Sequence, residues 1–390
     1  MSTYLPADMD AATLVGRVWL PGKTPGPAIV VLKEGQVLDL TAHVPLMSEL
    51  LAKNDVAHFV RNAPASAIGS VTDILANTLA INRDAKTAYF LSPIDLQSIK
   101  AAGVTFADSL IERVIEEQCK GDARRANDVR AIIESDIGDN LRTIKPRTKE
   151  AERLKAVLTE KGLWSQYLEV GIGPDAEVFT KSQPMSSVGL GAEVGIHPQS
   201  GWNNPEPEVV LVVNPQGKII GCTLGNDVNL RDVEGRSALL LGRAKDNNAS
   251  CALGPFIRLV DDNFALGDIR KLTVRLEVIG KDGFKLNGES SMTRISRDIE
   301  DLVEQAMGGH HHYPDGLVLF TGTLFAPTQD RDEKGLGFTH KIGDRVLISS
   351  PALGTLENRV QHTDKAAPWD FGAGALMRNL ARRGYLQQVP

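Results

Sequence analysis

Two acidic residues at the mouth of a continuous apolar run constrain this chain more than any other feature of its 390 residues. In P-E-P-E-V-V-L-V-V (205–213), Glu206 and Glu208 flank Pro207 and lead into four valines and a leucine. Such a run reads as a strand, and side chains two apart on a strand share a face, so both carboxylates aim at one point. The chain turns at N-P-Q-G (214–217) and returns through K-I-I-G-C-T-L-G (218–225). That return places Asp227, in G-N-D-V-N-L-R-D, just past the end of the second strand, and Lys245 follows in G-R-A-K-D-N-N. Three hard oxygen donors with room for water suit Mg²⁺, Mn²⁺ or Ca²⁺ better than zinc, which prefers nitrogen and sulfur. With a lysine beside them they suffice for metal-assisted chemistry on a small 2-oxo acid.

Composition narrows the class. At this length two domains are expected, with ample apolar material (42% of residues) for both. The division is placed as 1–150, an N-terminal α/β domain with linking helices, and 151–390, a metal-binding catalytic domain. Lys and Arg number 43 against 49 Asp and Glu, a net charge of −6, and no basic stripe interleaves with aromatics, which argues against nucleic acid. No apolar run approaches the roughly 18 residues of a membrane span, and M-S-T-Y-L-P-A-D-M-D lacks the regions of a signal peptide. Cys119, Cys222 and Cys251 are odd in number and without C-x-x-C spacing, so reduced thiols in a cytoplasmic protein are expected.

The pattern along the chain predicts an α+β protein. A small β-rich unit (runs 13–20, 28–32 and 36–40) precedes amphipathic stretches at 45–52 and 71–80, and from Ala107 the spacing is helical, with Leu110, Val114, Ile115 and Cys119 three and four apart. Residues 121–161 are charge-rich, with helical spacing at Val129, Ile132, Ile133 and Ile137 and again at Leu154, Val157 and Leu158; they read as solvated linking helices or as a lid over the site. After residue 176 short β-runs dominate (192–196, 208–213, 218–224, 272–279, 284–287, 316–321, 346–349), with helices at 298–307 and 373–383, which predicts a curled mixed sheet. His310, His311 and His312 read as a loop, and G-L-G-A-E-V-G (189–195) lacks the spacing of a dinucleotide loop.

The order E-P-E, hairpin, G-N-D-V-N-L-R-D, R-A-K-D and G-P-F resembles the fumarylacetoacetate hydrolase superfamily. The likeness continues through G-L-V-L-F-T-G-T (316–323), K-I-G-D-R-V (341–346) and L-G-T-L-E-N-R-V (353–360), and so covers residues 175–360. It implies a β-roll-like catalytic domain, a divalent metal on Glu206, Glu208 and Asp227, Lys245 as active-site lysine, and a homo-oligomer, dimer or tetramer. E-V-F-T-K-S (177–182) stands where the family approaches the bound oxo acid. The superfamily's small hydrolases carry G-x-N-Y-x-x-H-x-x-E, whose His and Glu activate the attacking water. Here the matching stretch is G-V-T-F-A-D-S-L-I-E (103–112), with Ser109 at the histidine position and Glu112 keeping the acid. Loss of the imidazole removes the natural general base near neutral pH. The chain therefore looks more like the branch of 2-keto-3-deoxypentonate dehydratases.

That branch implies a hydro-lyase of pentose catabolism that turns a 2-keto-3-deoxypentonate into 2,5-dioxopentanoate. A base removes a C3 proton made acidic by metal chelation of the 2-oxo acid, metal and Lys245 hold the enolate, and an acid protonates the departing C4 hydroxyl. Glu177 and Glu112 are the acid and base in either order, while Lys181, Ser182, Thr321, Gly322 and Thr323 are expected to hold the substrate carboxylate. The alternative is a C–C hydrolase of acylpyruvates or 2,4-diketo sugar acids, which His197 or His340 could serve from another segment.

Overall fold

The computed structural model describes residues 2–120, 122, 124, 144–160, 164–324, 327 and 329–386, with only the backbone of 2, 107–109 and 116. Its strands in chain order are β1 (Leu14–Leu20), β2 (Gly26–Lys33), β3 (Gln36–Asp39), β4 (Ser66–Ser70), β5 (Tyr89–Phe90), β6 (Ser98–Ala102), β7 (Val178–Ser182), β8 (Glu193–Ile196) and β9 (Asn203–Asn204). There follow β10 (Pro207–Val213), β11 (Ile219–Asp227), β12 (Asn229–Leu230), β13 (Cys251–Leu259), β14 (Thr273–Ile279), β15 (Lys285–Ser291), β16 (Leu317–Phe320), β17 (Arg345–Ser350) and β18 (Gly354–His362).

The main sheet runs β4-β3-β2-β1-β13-β11-β10-β16-β6-β7, with β5 beside β1, and a second sheet runs β15-β14-β17-β18-β8. Pairing is antiparallel except at β16/β6 and β18/β8. β10 explains why the sheets pack as they do. All seven of its residues are buried, and its alternating side chains enter two cores. Val209, Leu211 and Val213 join Val274, Leu276, Val346 and Ile348 of the second sheet. Val210 and Val212 face the other way, with Ile257, Val318, Phe320 and, from the helix Met47–Leu51, Met47 and Leu50. Each such side chain contributes roughly 1.5–3 kcal/mol of burial, so the hairpin that carries the carboxylates is anchored in both cores.

The architecture is α+β with mixed sheets, as the pattern predicts, but the main sheet crosses residue 150. β1 pairs with β13 (Leu14 opposite Arg258) and β6 lies between β16 and β7, so the boundary between 1–150 and 151–390 follows no break in the sheet. β13 and β18 were not expected. Gly254 and Pro255 lie within the first, and within the second Glu357 is buried against Arg345 at 2.8 Å and Tyr4 at 2.5 Å. Within 121–161, Val129, Ile132, Ile133 and Ile137 lie outside the described residues, and the remainder includes the helix Lys149–Glu160. His310, His311 and His312 are exposed, the three cysteines are buried and free, and no described helix is long and apolar enough to cross a membrane.

Candidate active site and metal centre

Register brings the carboxylates together. Pro207 lies opposite Asn226 and Glu208 opposite Gly225, and the Asp227 N–H donates to the Glu206 carbonyl at 3.0 Å, so Asp227 sits across from Glu206 on the face that Glu208 shares. Oxygens of Glu206, Glu208 and Asp227 fall within 4.8 Å of one another, all buried. Neighbours fix each carboxylate. The Gly322 N–H donates to Glu208 Oε2 at 2.7 Å, from a left-handed backbone (φ 97°) where a Cβ would also strike Thr105 Oγ1. The Glu206 N–H is held by Asn226 Oδ1 at 3.2 Å.

Lys245, the last residue of the helix Leu241–Lys245, gives Nζ to Glu206 Oε2 and, at 3.0 Å, to Asp227 Oδ2. Burial works against its charge, but Asp227, Glu206 and Glu234 outweigh it and hold the lysine above its usual range. Asp227 is likewise pushed up by burial and pulled down further by Lys181 and Lys245, so it stays ionised. Glu208 is the opposite case, raised well above the usual carboxylate range by burial and by its neighbours Asp227 and Glu206. Five carboxyls (Glu177, Glu206, Glu208, Asp227, Glu234) thus face three cations (Arg113, Lys181, Lys245). An all-oxygen donor set of three clustered carboxylates fits a hard divalent cation, which would let Glu208 ionise beside the other two.

The expected substrate-binding residues divide. Thr323 lines the cleft. Thr321 instead gives Oγ1 to the Val209 carbonyl at 2.8 Å, and Ser182 pairs with Ser186 Oγ at 2.6 Å; neither lines the cleft. Lys181 is fully buried behind Asp227, ion-paired to Oδ1 at 2.8 Å and donating to the carbonyls of Val228 (3.3 Å) and Lys245, and it does not line the cleft. Glu112, in the helix Ala107–Cys119, is also turned from the cleft, accepting from Arg231 at 3.0 Å. The backbone of Ser109 belongs to that helix, but its side chain lies outside the described residues.

Glu177 does line the cleft, and among the described residues no ion pair or side-chain hydrogen bond is formed by its carboxyl. Burial, then Glu234, push it up to about 7, against the opposing pull of Arg113 and Lys245. Neither expected alternative base is there. His197 accepts from the Gln199 N–H at 3.2 Å and lines a different cavity, while His340 is buried against Asp344 at 3.4 Å, its proton affinity lowered by burial.

Arg113 and Glu234 were missed by sequence reasoning. Arg113 bridges Glu206 and, at 3.3 Å, Glu234 across the cleft, and Phe179 closes one side 5.8 Å from Lys245 Nζ. The only signal was their place, one residue after Glu112 and three after Arg231. The free space among these groups is about 10 Å³, room for about one water. Gly103 sets the position of Glu177: a Cβ there would lie 1.8 Å from Oε2. Gly103→Ala is expected to fold, because the flexible carboxyl can swing away, yet to lose on the order of a hundredfold in turnover, as a misplaced catalytic group does. Unchanged rates with an unchanged melting temperature would contradict that role for Glu177.

Residues 169–361 match the family fumarylacetoacetate (FAA) hydrolase C-terminal. Over 202 residues the chain is 32% identical to a Haloferax volcanii protein described as a "Probable 2-keto-3-deoxyxylonate dehydratase", covering 52% of this chain and 65% of that one. It is also 32% identical over 189 residues to the 2-dehydro-3-deoxy-D-arabinonate dehydratase of Saccharolobus solfataricus, covering 48% and 60%. The chain thus spans less than two thirds of these curated relatives. Among solved structures, a hexagonal crystal form of 2-keto-3-deoxyarabinonate dehydratase superposes with a TM-score of 0.62 at 21% identity, over 90% of this chain and 99% of that one. 2-Keto-3-deoxy-D-arabinonate dehydratase complexed with magnesium and 2,5-dioxopentanoate gives 0.60 at 20% identity, over the same shares. At those identities the likeness establishes the fold.

Proposed function

We propose that this protein is a metal-dependent dehydratase that converts a 2-keto-3-deoxypentonate into 2,5-dioxopentanoate. The observation that carries the reading is the Glu177 carboxyl, without an ion pair or side-chain hydrogen bond among the described residues and pushed up to about 7, in a cleft that also holds three clustered buried carboxylates and a charged lysine. The names of the relatives, and the magnesium and 2,5-dioxopentanoate bound by one structural neighbour, support it. A divalent cation held by Glu206, Glu208 and Asp227 supplies Lewis acidity toward the carboxylate and C2 carbonyl of a 2-oxo acid.

The protein's own groups do the rest. Ionised Glu177 takes a proton from C3 as Lys245 stabilises the negative charge that develops toward C2. With Glu112 engaged by Arg231, Glu177 also returns that proton to the C4 hydroxyl, which leaves as water and frees the carboxylate again. A proton shift from C5 to C3 then gives an enol across C4 and C5, and transfer of the enol hydroxyl proton to C4 leaves the aldehyde of 2,5-dioxopentanoate, so the overall change is loss of one water. Lys181 keeps Asp227 in place, and Thr323 is, of the expected substrate-binding threonines, the one that lines the cleft. A cytoplasmic homo-oligomer acting in pentose catabolism completes the reading, and the buried free thiols accord with a reducing compartment.

Glu177→Gln tests the proton route. A base must be ionised, so activity is expected to rise with pH as Glu177 deprotonates around 7, and the variant should lose that limb. In deuterium oxide it should also lose both C3 exchange and elimination, by about 10²–10⁴-fold. Exchange and elimination at wild-type rates would remove Glu177 from the mechanism.

A further inference from the structure

A second cleft has a chemistry of its own. It has a volume of about 370 Å³, lies between β1, the segment 185–192 and the segment 367–371, and shares no lining residue with the metal cleft. Aromatic rings line it: Trp19 of β1, Tyr89 of β5, Trp369 and Phe371, with Trp19 and Phe371 edge to face at 5.4 Å between centroids. Arg17 also lines it, two residues before Trp19 on the same face of β1.

Arg17 is 5% exposed. Its Nη1 donates to the carbonyls of Ser92 (3.4 Å) and Ile94, its Nε has no hydrogen-bond partner, and among the described residues no carboxylate lies within ion-pair distance of it. The acidic neighbour it senses is Asp95, whose oxygens are taken by the N–H groups of Met47 at 2.5 Å, Ser48 at 2.9 Å and Leu96 at 2.7 Å. A second guanidinium, half-buried Arg83, lies 4.6 Å over the Tyr89 ring and spends its Nε on the Thr78 carbonyl at 3.1 Å. The one carboxylate on the described wall, Asp370, is exposed. A buried guanidinium with an idle donor and no counter-ion is strongly disfavoured unless an anion reaches it.

We propose that this cleft binds a small organic monocarboxylate with a flat apolar body, its carboxylate accepting from Arg17 and its body among the rings. Charge-assisted hydrogen bonds to a guanidinium and aromatic walls of this size are the two features such a ligand needs. Arg83 adds a second positive charge without a partner carboxylate. This binding is independent of the dehydratase reading, because the two clefts share no lining residue.

The test is to titrate 2-naphthoate into the full-length protein and follow tryptophan fluorescence and calorimetry, with neutral 2-naphthalenemethanol as control. One saturable naphthoate site per chain is expected, with the alcohol weaker by about tenfold or more, the worth of a charge-assisted bond. Arg17→Met should weaken naphthoate by about the same factor and leave the alcohol unchanged. Ala367→Trp, at an exposed wall position, should block both ligands without disturbing the fold, which keeps the test decisive even where Arg17→Met fails to fold. Asp227→Asn should leave naphthoate binding intact. The proposal is overturned by absence of saturable binding, by equal affinity in Arg17→Met, by binding that Asp227→Asn removes, or by binding that appears only on dilution of the protein, which would show a second copy of the chain filling the cleft.

Discussion

Asp227→Asn is expected to lose its divalent cation and its turnover together. The amide is neutral and a weaker oxygen ligand, and Asp227 is the carboxylate on which the other groups converge: Lys181 at 2.8 Å, Lys245 at 3.0 Å, and Glu206 across the hairpin. Calorimetric titration with Mg²⁺ should show affinity reduced by at least on the order of a hundredfold, since even outer residues around a metal are worth 10–100-fold. Lys181 keeps its carbonyl acceptors and Lys245 keeps Glu206, so the variant should fold, with a melting temperature lowered by the loss of a buried pairing that costs roughly 3–5 kcal/mol to break. Wild-type Mg²⁺ affinity in this variant would take Asp227 out of the ligand set.

Lys245→Met should separate metal binding from chemistry. Methionine preserves the apolar stem against Phe179 and removes the charge. Two consequences have opposite signs. The cation loses a positive neighbour that competes for Glu206 and Asp227, so Mg²⁺ affinity is expected to hold or to tighten. Turnover should fall by on the order of a hundredfold or more, the scale for removing one preorganised electrostatic donor at a developing charge. A metal-loaded variant that turns over normally would return Lys245 to a purely structural role, whereas loss of metal would show that it orders the ligands.

The hairpin geometry was legible because its cause is local. E-P-E before an apolar run, a Pro-Gly turn and a returning strand dictate that Glu206, Glu208 and Asp227 meet on one face, and the structure brings their oxygens together beside Lys245. What could not be read was which neighbour of a buried pair faces the cleft. Glu112 and Arg113 are consecutive on one helix and both buried, so helical spacing does not distinguish the residue that meets Arg231 from the one that meets Glu206. Lys181 shares the face of Phe179 on β7 but lies deeper, where Asp227 takes its charge. Thr321 and Thr323 flank the left-handed Gly322, and only the second is delivered to the cleft. The division at residue 150 had no sequence signal against it, because the β1–β13 pairing joins residues more than two hundred positions apart.

Dehydration of a 2-keto-3-deoxy sugar acid in this cleft is tested most directly by its products. Mg²⁺-loaded protein should be incubated in parallel with a 2-keto-3-deoxypentonate and with an acylpyruvate, and the products identified by mass and by coupling to an aldehyde dehydrogenase. The expected result is 2,5-dioxopentanoate and one water lost from the first, abolished by EDTA and restored by Mg²⁺ or Mn²⁺, and no comparable cleavage of the second. Full activity without metal would overturn the metal-dependent mechanism, and C–C cleavage of the acylpyruvate faster than any dehydration would overturn the dehydratase and favour the hydrolase.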